Sequence, residues 1–257
     1  MHEHPYAGVA AALAGTPFSD VRYVERTAST NADAADLLGD ARFAGRTLVA
    51  EHQTLGKGRK GRTWVAGAGT SLLFTTVLPE PVATATLWIV PFWAALAIGG
   101  ALERHGVAAT LHWPNDLLIE SRKVGGILCV SRVSGERASV GVGAGINVHR
   151  RAGAEQNIEP PPAFCDDVAP VDRASLLLSI LQGYASELGA LADPGRIVRA
   201  WEKAAELPGR RYRILKDGTQ TPFEATALAL ANGGGLVVAR DDGARETISL
   251  ADARALR

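Results

Sequence analysis

The chain has 257 residues, enough for one large domain or for one domain with a small appendage. Hydrophobic residues make up 47% and charged residues 21%, an ordinary globular composition, and the formal net charge of zero argues against a protein that grips nucleic acid by broad phosphate neutralisation. Cys129 and Cys165 stand far apart with no CxxC pair, which rules out a disulfide framework or a zinc-finger pattern and fits a reducing cytoplasm. The N-terminal MHEHPYAGVAAALAG has no basic region before its apolar run, so no secretory signal is expected. In chain order, VRYVE (21–25) reads as a short strand, and Ser29-Thr30-Asn31 offers capping side chains ahead of a helix in ADAADLL. RTLVAEHQ (46–53) predicts a strand that runs into a glycine-rich loop, and SLLFTTVL (71–78) predicts another after it. The uncharged run Pro81–Leu102 is long enough for a membrane span, but its prolines, threonines and Gly99-Gly100 favour a buried helix over about 87–105, closing at Gly106.

Four strand candidates follow: 110–113, 117–120, 124–133 and 138–148. Turns such as Pro114-Asn115-Asp116 and Ser134-Gly135 separate them, which predicts an antiparallel meander. Residues 150–172 lack periodicity and contain Pro160-Pro161-Pro162, so they are expected to form a loop before helices over about 173–191 and 194–206. Pro208-Gly209 then marks a boundary. RRYRIL, TPFEATALAL, GLVVAR and ETISL beyond it predict four short strands of a small β-barrel. The fold class is therefore α+β, with a sheet-based catalytic domain at 1–207 and a β domain at 208–257.

The loop Gly56-Lys57-Gly58-Arg59-Lys60-Gly61-Arg62 puts four cations and three glycines in one short stretch. It matches G-x-G-x-x-G in form only, because the following TWVAGAGTSLLFTTVL has no helical period to present a helix N-terminus to a pyrophosphate. No Gly-Lys-Ser/Thr closes a Walker A spacing either. Glycines still let backbone N–H groups approach an anion, and the cations answer its charge. Such a loop is expected to be mobile without ligand and to order over it. The competing reading is a solvated basic loop. The chain holds 22 arginines against five lysines, so Lys123, ahead of Val124-Gly125-Gly126, stands out as a compact point charge.

In this order, Ser29-Thr30-Asn31, EHQTLGKGRKGRTW, HWPNDLLIESRKVGGIL and GAGINV resemble the biotin protein ligase family. The likeness covers most of residues 20–150, and the small C-terminal β domain is similar too. It implies a mixed sheet like that of class II aminoacyl-tRNA synthetases, followed by an SH3-like β-barrel. It also implies ATP-dependent biotinylation in two steps. Biotin and ATP, with Mg2+, give biotinyl-5′-AMP and pyrophosphate, and a lysine of a biotin carboxyl carrier domain then displaces AMP.

Carried over by motif, Ser29, Thr30, Asn31 and Gln53 would line the biotin ring pocket. Gly56, Lys57, Gly58 and Arg59 would hold the carboxylate and adenylate phosphate, with Arg62 assisting and Trp64 sheltering the adenine. Lys123 would act with Arg59 at the carboxylate–phosphate junction, and Gly126 would let the ligand approach the strand. Asn115, Asp116 and Asn147 would complete the nucleotide side, and no metal ligands are assigned. The chain departs from the family pattern at His112, where lysine is usual, and at Lys57, where arginine is frequent. About 20 residues precede the first catalytic strand, too few for a helix-turn-helix and its core, so no nucleic-acid partner is expected. A membrane partner is not expected either. The alternatives are a lipoate ligase or related acyl transferase, and a non-enzymatic module that docks an acidic partner.

Overall fold

The computed structural model describes residues 4–151 and 160–250, and the backbone of 253–256. Part of the expected loop over 150–172 thus lies outside the described residues. The chain opens with a short helix α1 (Ala7–Ala12), then β1 (Val21–Thr27), α2 (Thr30–Leu37), β2 (Thr47–Gln53), β3 (Ser71–Val77) and β4 (Val82–Ala83). Next come α3 (Val90–Arg104), β5 (Thr110–His112), β6 (Asp116–Ile119), β7 (Arg122–Ser134) and β8 (Arg137–Asn147). Helices α4 (Arg173–Glu187) and α5 (Pro194–Ala204) lead to β9 (Arg211–Lys216), β10 (Phe223–Leu230), β11 (Leu236–Arg240), β12 (Arg245–Ile248) and β13 (Ala253–Leu256).

The first eight strands form one mixed sheet in the order β1-β2-β3-β8-β7-β6-β5, with β4 on β8. The β1–β2 pair is parallel, and β5 through β8 pair antiparallel in succession, which is the expected meander. The last five form a separate antiparallel sheet, β12-β11-β10-β9-β13. Four strands were expected there, and β13 is the addition. A four-residue strand pairing only with β9 carries too little pattern to read locally. Helix α1 was not expected from the sequence at all. It is a single short run whose Val9 is buried, held by tertiary packing more than by propensity.

Period-two alternation assigns the two faces of the large sheet. Val140, Val142, Ala144 and Ile146 of β8 join the main core, whereas Gly141, Gly143, Gly145 and Asn147 face the other way. On that second face Gly143 lies opposite Thr75, Gly145 opposite Leu73, and Asn147 opposite Ser71. Helix α3 buries Phe92, Trp93, Ile98 and Leu102 and packs against α4, α5 and β7. The run Thr84–Arg104 is long and apolar enough to cross a membrane, and here it serves as a core helix. It ends as expected, at Gly106 with φ +78°, where the Val107 N–H caps the Leu102 carbonyl.

The second sheet docks on the first through Trp113, whose indole N–H donates to the Gly234 carbonyl at 2.9 Å and whose backbone N–H donates to the Tyr212 hydroxyl at 3.2 Å. His112 stacks on Tyr212 with centroids 4.5 Å apart. His112, one of the two departures from the family pattern, thus packs between the two sheets.

Candidate active site

The glycine-bearing face of the large sheet forms the floor of a cavity of about 270 Å³. At one end stand Ser29, Thr30 and Asn31 from the start of α2, with Gln53 from the end of β2. Thr30 and Asn31 lie inside the first helical turn, and not ahead of it as the capping pattern predicts. Ser29 holds the N-cap position without a side-chain capping bond. The reason is tertiary. The Thr30 N–H donates to Gln53 Oε1 at 2.7 Å, and Asn31 Nδ2 donates to the Leu128 carbonyl at 2.9 Å.

At the other end the cavity is lined by Lys57, Gly58, Arg59, Arg62, Trp64 and Lys123. The loop is a tight hairpin. The Gly58 N–H donates to the Arg62 carbonyl at 2.7 Å and the Trp64 N–H to the Gly56 carbonyl at 2.9 Å, with Lys57 bridging Thr63. Gly56 sits at the hairpin base behind the cavity wall, where a Cβ would come within 2.4 Å of the Trp64 carbonyl oxygen. Burial holds the Arg59 guanidinium below its ordinary pKa, with nearby Asp116 opposing that and Arg62 adding to it. Arginine still stays cationic at neutral pH. Arg59 Nη2 donates to the Leu250 carbonyl at 2.6 Å, and Lys60 Nζ meets Asp217 at 2.6 Å. Both contacts tie the loop to the second sheet.

Lys123 enters from β7, and its ammonium lies 2.6 Å from the Asp116 carboxylate on neighbouring β6 and 5.4 Å from the Trp64 ring centre. Gly126 makes the space: a Cβ there would stand 2.8 Å from Lys123 Nζ. Gly145 does the same for Trp64, whose ring would meet its Cβ at 2.6 Å. Asn115, Asp116 and Asn147 line the cavity as well. Two of them also brace it. Asn115 Nδ2 donates to the Ile127 carbonyl at 2.7 Å, and Asn147 Nδ2 to the Ala163 carbonyl at 3.1 Å.

Several participants escaped the sequence reading. Thr75 supports Thr30 and Asn31 from behind, and its only local signal is a hydroxyl in a strand that is buried throughout. Asp217 and Leu250 touch the loop from the second sheet, and nothing local marks them. His112 lies outside the cavity lining.

The family model of the biotin/lipoate A/B protein ligases matches residues 23–147, which supply most of the lining of this cleft. The chain is 32% identical over 219 residues to the biotin–[acetyl-CoA-carboxylase] ligase of Mycobacterium tuberculosis, covering 80% of this chain and 79% of that protein. On this likeness the chain belongs to the biotin protein ligase family. It is also 27% identical over 195 residues to the bifunctional ligase/repressor BirA of Escherichia coli, 73% of this chain, and it spans 60% of that relative's length. A biotin protein ligase from Aquifex aeolicus, solved in complex with biotin and ATP, shares the fold at a TM-score of 0.76. It is 24% identical, and the match covers 93% of this chain and all of that one.

Proposed function

We propose that the chain joins biotin to a lysine of a biotin carboxyl carrier domain through biotinyl-5′-AMP, within a catalytic domain at 1–207 followed by a β domain at 208–257. The observation that carries this is the polarity of one cavity: Thr30, Asn31 and Gln53 at one end, Lys57, Arg59, Arg62 and Lys123 at the other. A neutral hydrogen-bonding head and an acid tail, reaching toward phosphates, fit that gradient.

In the first step a carboxylate oxygen of biotin attacks the α-phosphorus of ATP. The new O–P bond forms as the bond to pyrophosphate breaks. Negative charge crowds the junction, and Lys123 and Arg59 stabilise it electrostatically. In the second step the carrier amine attacks the acyl carbon, the C–O bond breaks, AMP departs, and the amine loses its proton to solvent. Mg2+ suits this site as the companion of the triphosphate. Among the described residues no three His, Cys, Asp or Glu converge, and magnesium needs only one or two carboxylates beside phosphates. Asp116 is the carboxylate at hand. Both cysteines are free thiols, in keeping with a cytoplasmic enzyme.

A lipoate ligase is the second reading, since the family model spans both acids. A dithiolane offers no hydrogen-bond partner, and leaving the buried Thr30 and Asn31 unmatched is costly. The non-enzymatic docking module fits less well, because Arg59 and Lys123 line the cavity wall and their charge is not spread on the open surface. ATP–pyrophosphate exchange with biotin, with lipoate and with no acid tests the proposal. Exchange that depends on biotin is expected. Exchange with lipoate alone would move the substrate, and none with either would refute adenylation.

The loop's tie to the second sheet makes a smaller prediction. The Lys60–Asp217 pair has side chains 26% and 56% exposed, so it contributes about 0–1 kcal/mol. Asp217→Asn is expected to raise the KM for ATP about two- to threefold at low salt. The difference should close at high salt, where the pair is screened. Initial rates at two ionic strengths decide it.

A further inference from the structure

Thr75 stands one layer behind the cavity, on β3, with 0% of its surface exposed. Its Oγ1 lies 2.8 Å from Thr30 Oγ1 and 2.8 Å from Asn31 Oδ1. A hydroxyl has one proton to give, so only one neighbour can receive it. Asn31 decides which. Its Nδ2 donates to the Leu128 carbonyl at 2.9 Å, and the flipped amide would set two oxygens against each other there. Asn31 Oδ1 therefore faces Thr75 and takes its proton. Thr75 Oγ1 is then free to accept from the Thr30 hydroxyl. The other direction for that proton, toward Gln53 Oε1, is the longer contact at 3.1 Å, and Gln53 Oε1 already holds the Thr30 N–H at 2.7 Å.

We propose that Thr75 is a positioning residue for recognition of the acid's polar head, directing a proton chain from Thr30 through Thr75 to Asn31. The chain leaves Thr30 Oγ1 and Asn31 Oδ1 both as acceptors at the cavity wall. Two fixed acceptors select a head that carries N–H donors, such as a cyclic urea. The inference rests on the biotin reading above and names what reads that substrate. Replacing Thr75 by valine keeps the shape but frees the Thr30 proton to turn to Gln53, and it strips Asn31 Oδ1 of its donor. The released Thr30 proton can also turn into the cavity, where it opposes an incoming N–H donor, and the Asn31 amide is less firmly held.

The test is ATP–pyrophosphate exchange by the wild-type chain, Thr75→Val and Thr75→Ser, with biotin and with desthiobiotin, which keeps the cyclic urea. Thr75→Val is expected to raise the KM for both acids about tenfold, the size of one lost hydrogen bond to a buried polar group. With the KM for ATP unchanged, kcat should stay within about twofold, the signature of lost ground-state binding. Thr75→Ser keeps the hydroxyl and should restore most of the affinity. An unchanged acid KM in Thr75→Val would overturn the assignment. So would an equal rise in the KM for ATP, or a serine variant as impaired as the valine one. A wild-type chain that exchanges with neither acid refutes the proposed function itself, and that result appears before any variant is read.

Discussion

Lys123→Ala is expected to lower the rate of biotin adenylation by about 10²–10³-fold, the usual effect of deleting one preorganised charge stabiliser. The physical case rests on where the ammonium is held. It lies 2.6 Å from Asp116 with its side chain only 20% exposed, so it acts in a partly dry site where charge interactions are strong. Removal does two things at once. The reacting carboxylate and phosphate lose a cation at their junction, and Asp116, itself 15% exposed, loses the ammonium that offset its charge at 2.6 Å. Lys123→Arg should rescue poorly. Lys123 Nζ lies so close over Gly126 that even an added Cβ there would come within 2.8 Å of it, and a planar fork is broader than an ammonium. Pre-steady-state formation of the acyl-adenylate measures the step directly. A loss smaller than about fivefold would remove Lys123 from the catalytic machinery, since one stabilising donor is worth far more than that.

The second large effect is expected at a residue with no side chain. A Cβ at position 143 would stand 2.0 Å from Asn31 Oδ1, 2.7 Å from its Cγ and 2.8 Å from its Nδ2. Gly143→Ala therefore forces the Asn31 amide out of place, breaking its bond to the Leu128 carbonyl and its bond from Thr75. A displaced Asn31 amide withdraws its acceptor from the ligand and intrudes on the pocket wall, so a rise of about 10²-fold in the KM for biotin is expected. The backbone itself accepts alanine, because position 143 is not among the glycines with positive φ. No backbone strain is added, so the melting temperature should fall only by the few degrees that two lost buried hydrogen bonds account for. Gly189→Ala is the control, since its Cβ would meet nothing within 4 Å and its φ is not positive. Titration calorimetry with biotin on both variants measures the contrast, and equal affinities would show that Asn31 does not read the ligand.

That glycine shows how far the sequence carries. GVGAGIN alternates small and apolar residues with period two, so one face of β8 must pack a core and the other must admit something bulky. The structure identifies the bulk as Asn31 and Trp64. The meander from β5 to β8 and the end of α3 at Gly106 were legible for similar reasons, because turn residues and periodicity act over a few neighbours. What escaped is long-range. Trp113 meets Gly234 across 121 residues and Arg59 meets Leu250 across 191, and no local pattern marks either pair. His112 illustrates the same limit. As a departure from a motif it reads as a missing cation at the nucleotide, yet in the fold it stacks on Tyr212 between the sheets. Thr75 is the intermediate case: a buried threonine in SLLFTTV signals a polar partner but cannot say which.

Mass spectrometry of a biotin carboxyl carrier domain incubated with the chain, biotin and magnesium-ATP reads the whole reaction at once. One biotinyl group on one carrier lysine is expected, with AMP and pyrophosphate released in equal amount. A carrier left unmodified, with ATP and biotin intact, would contradict the proposed function.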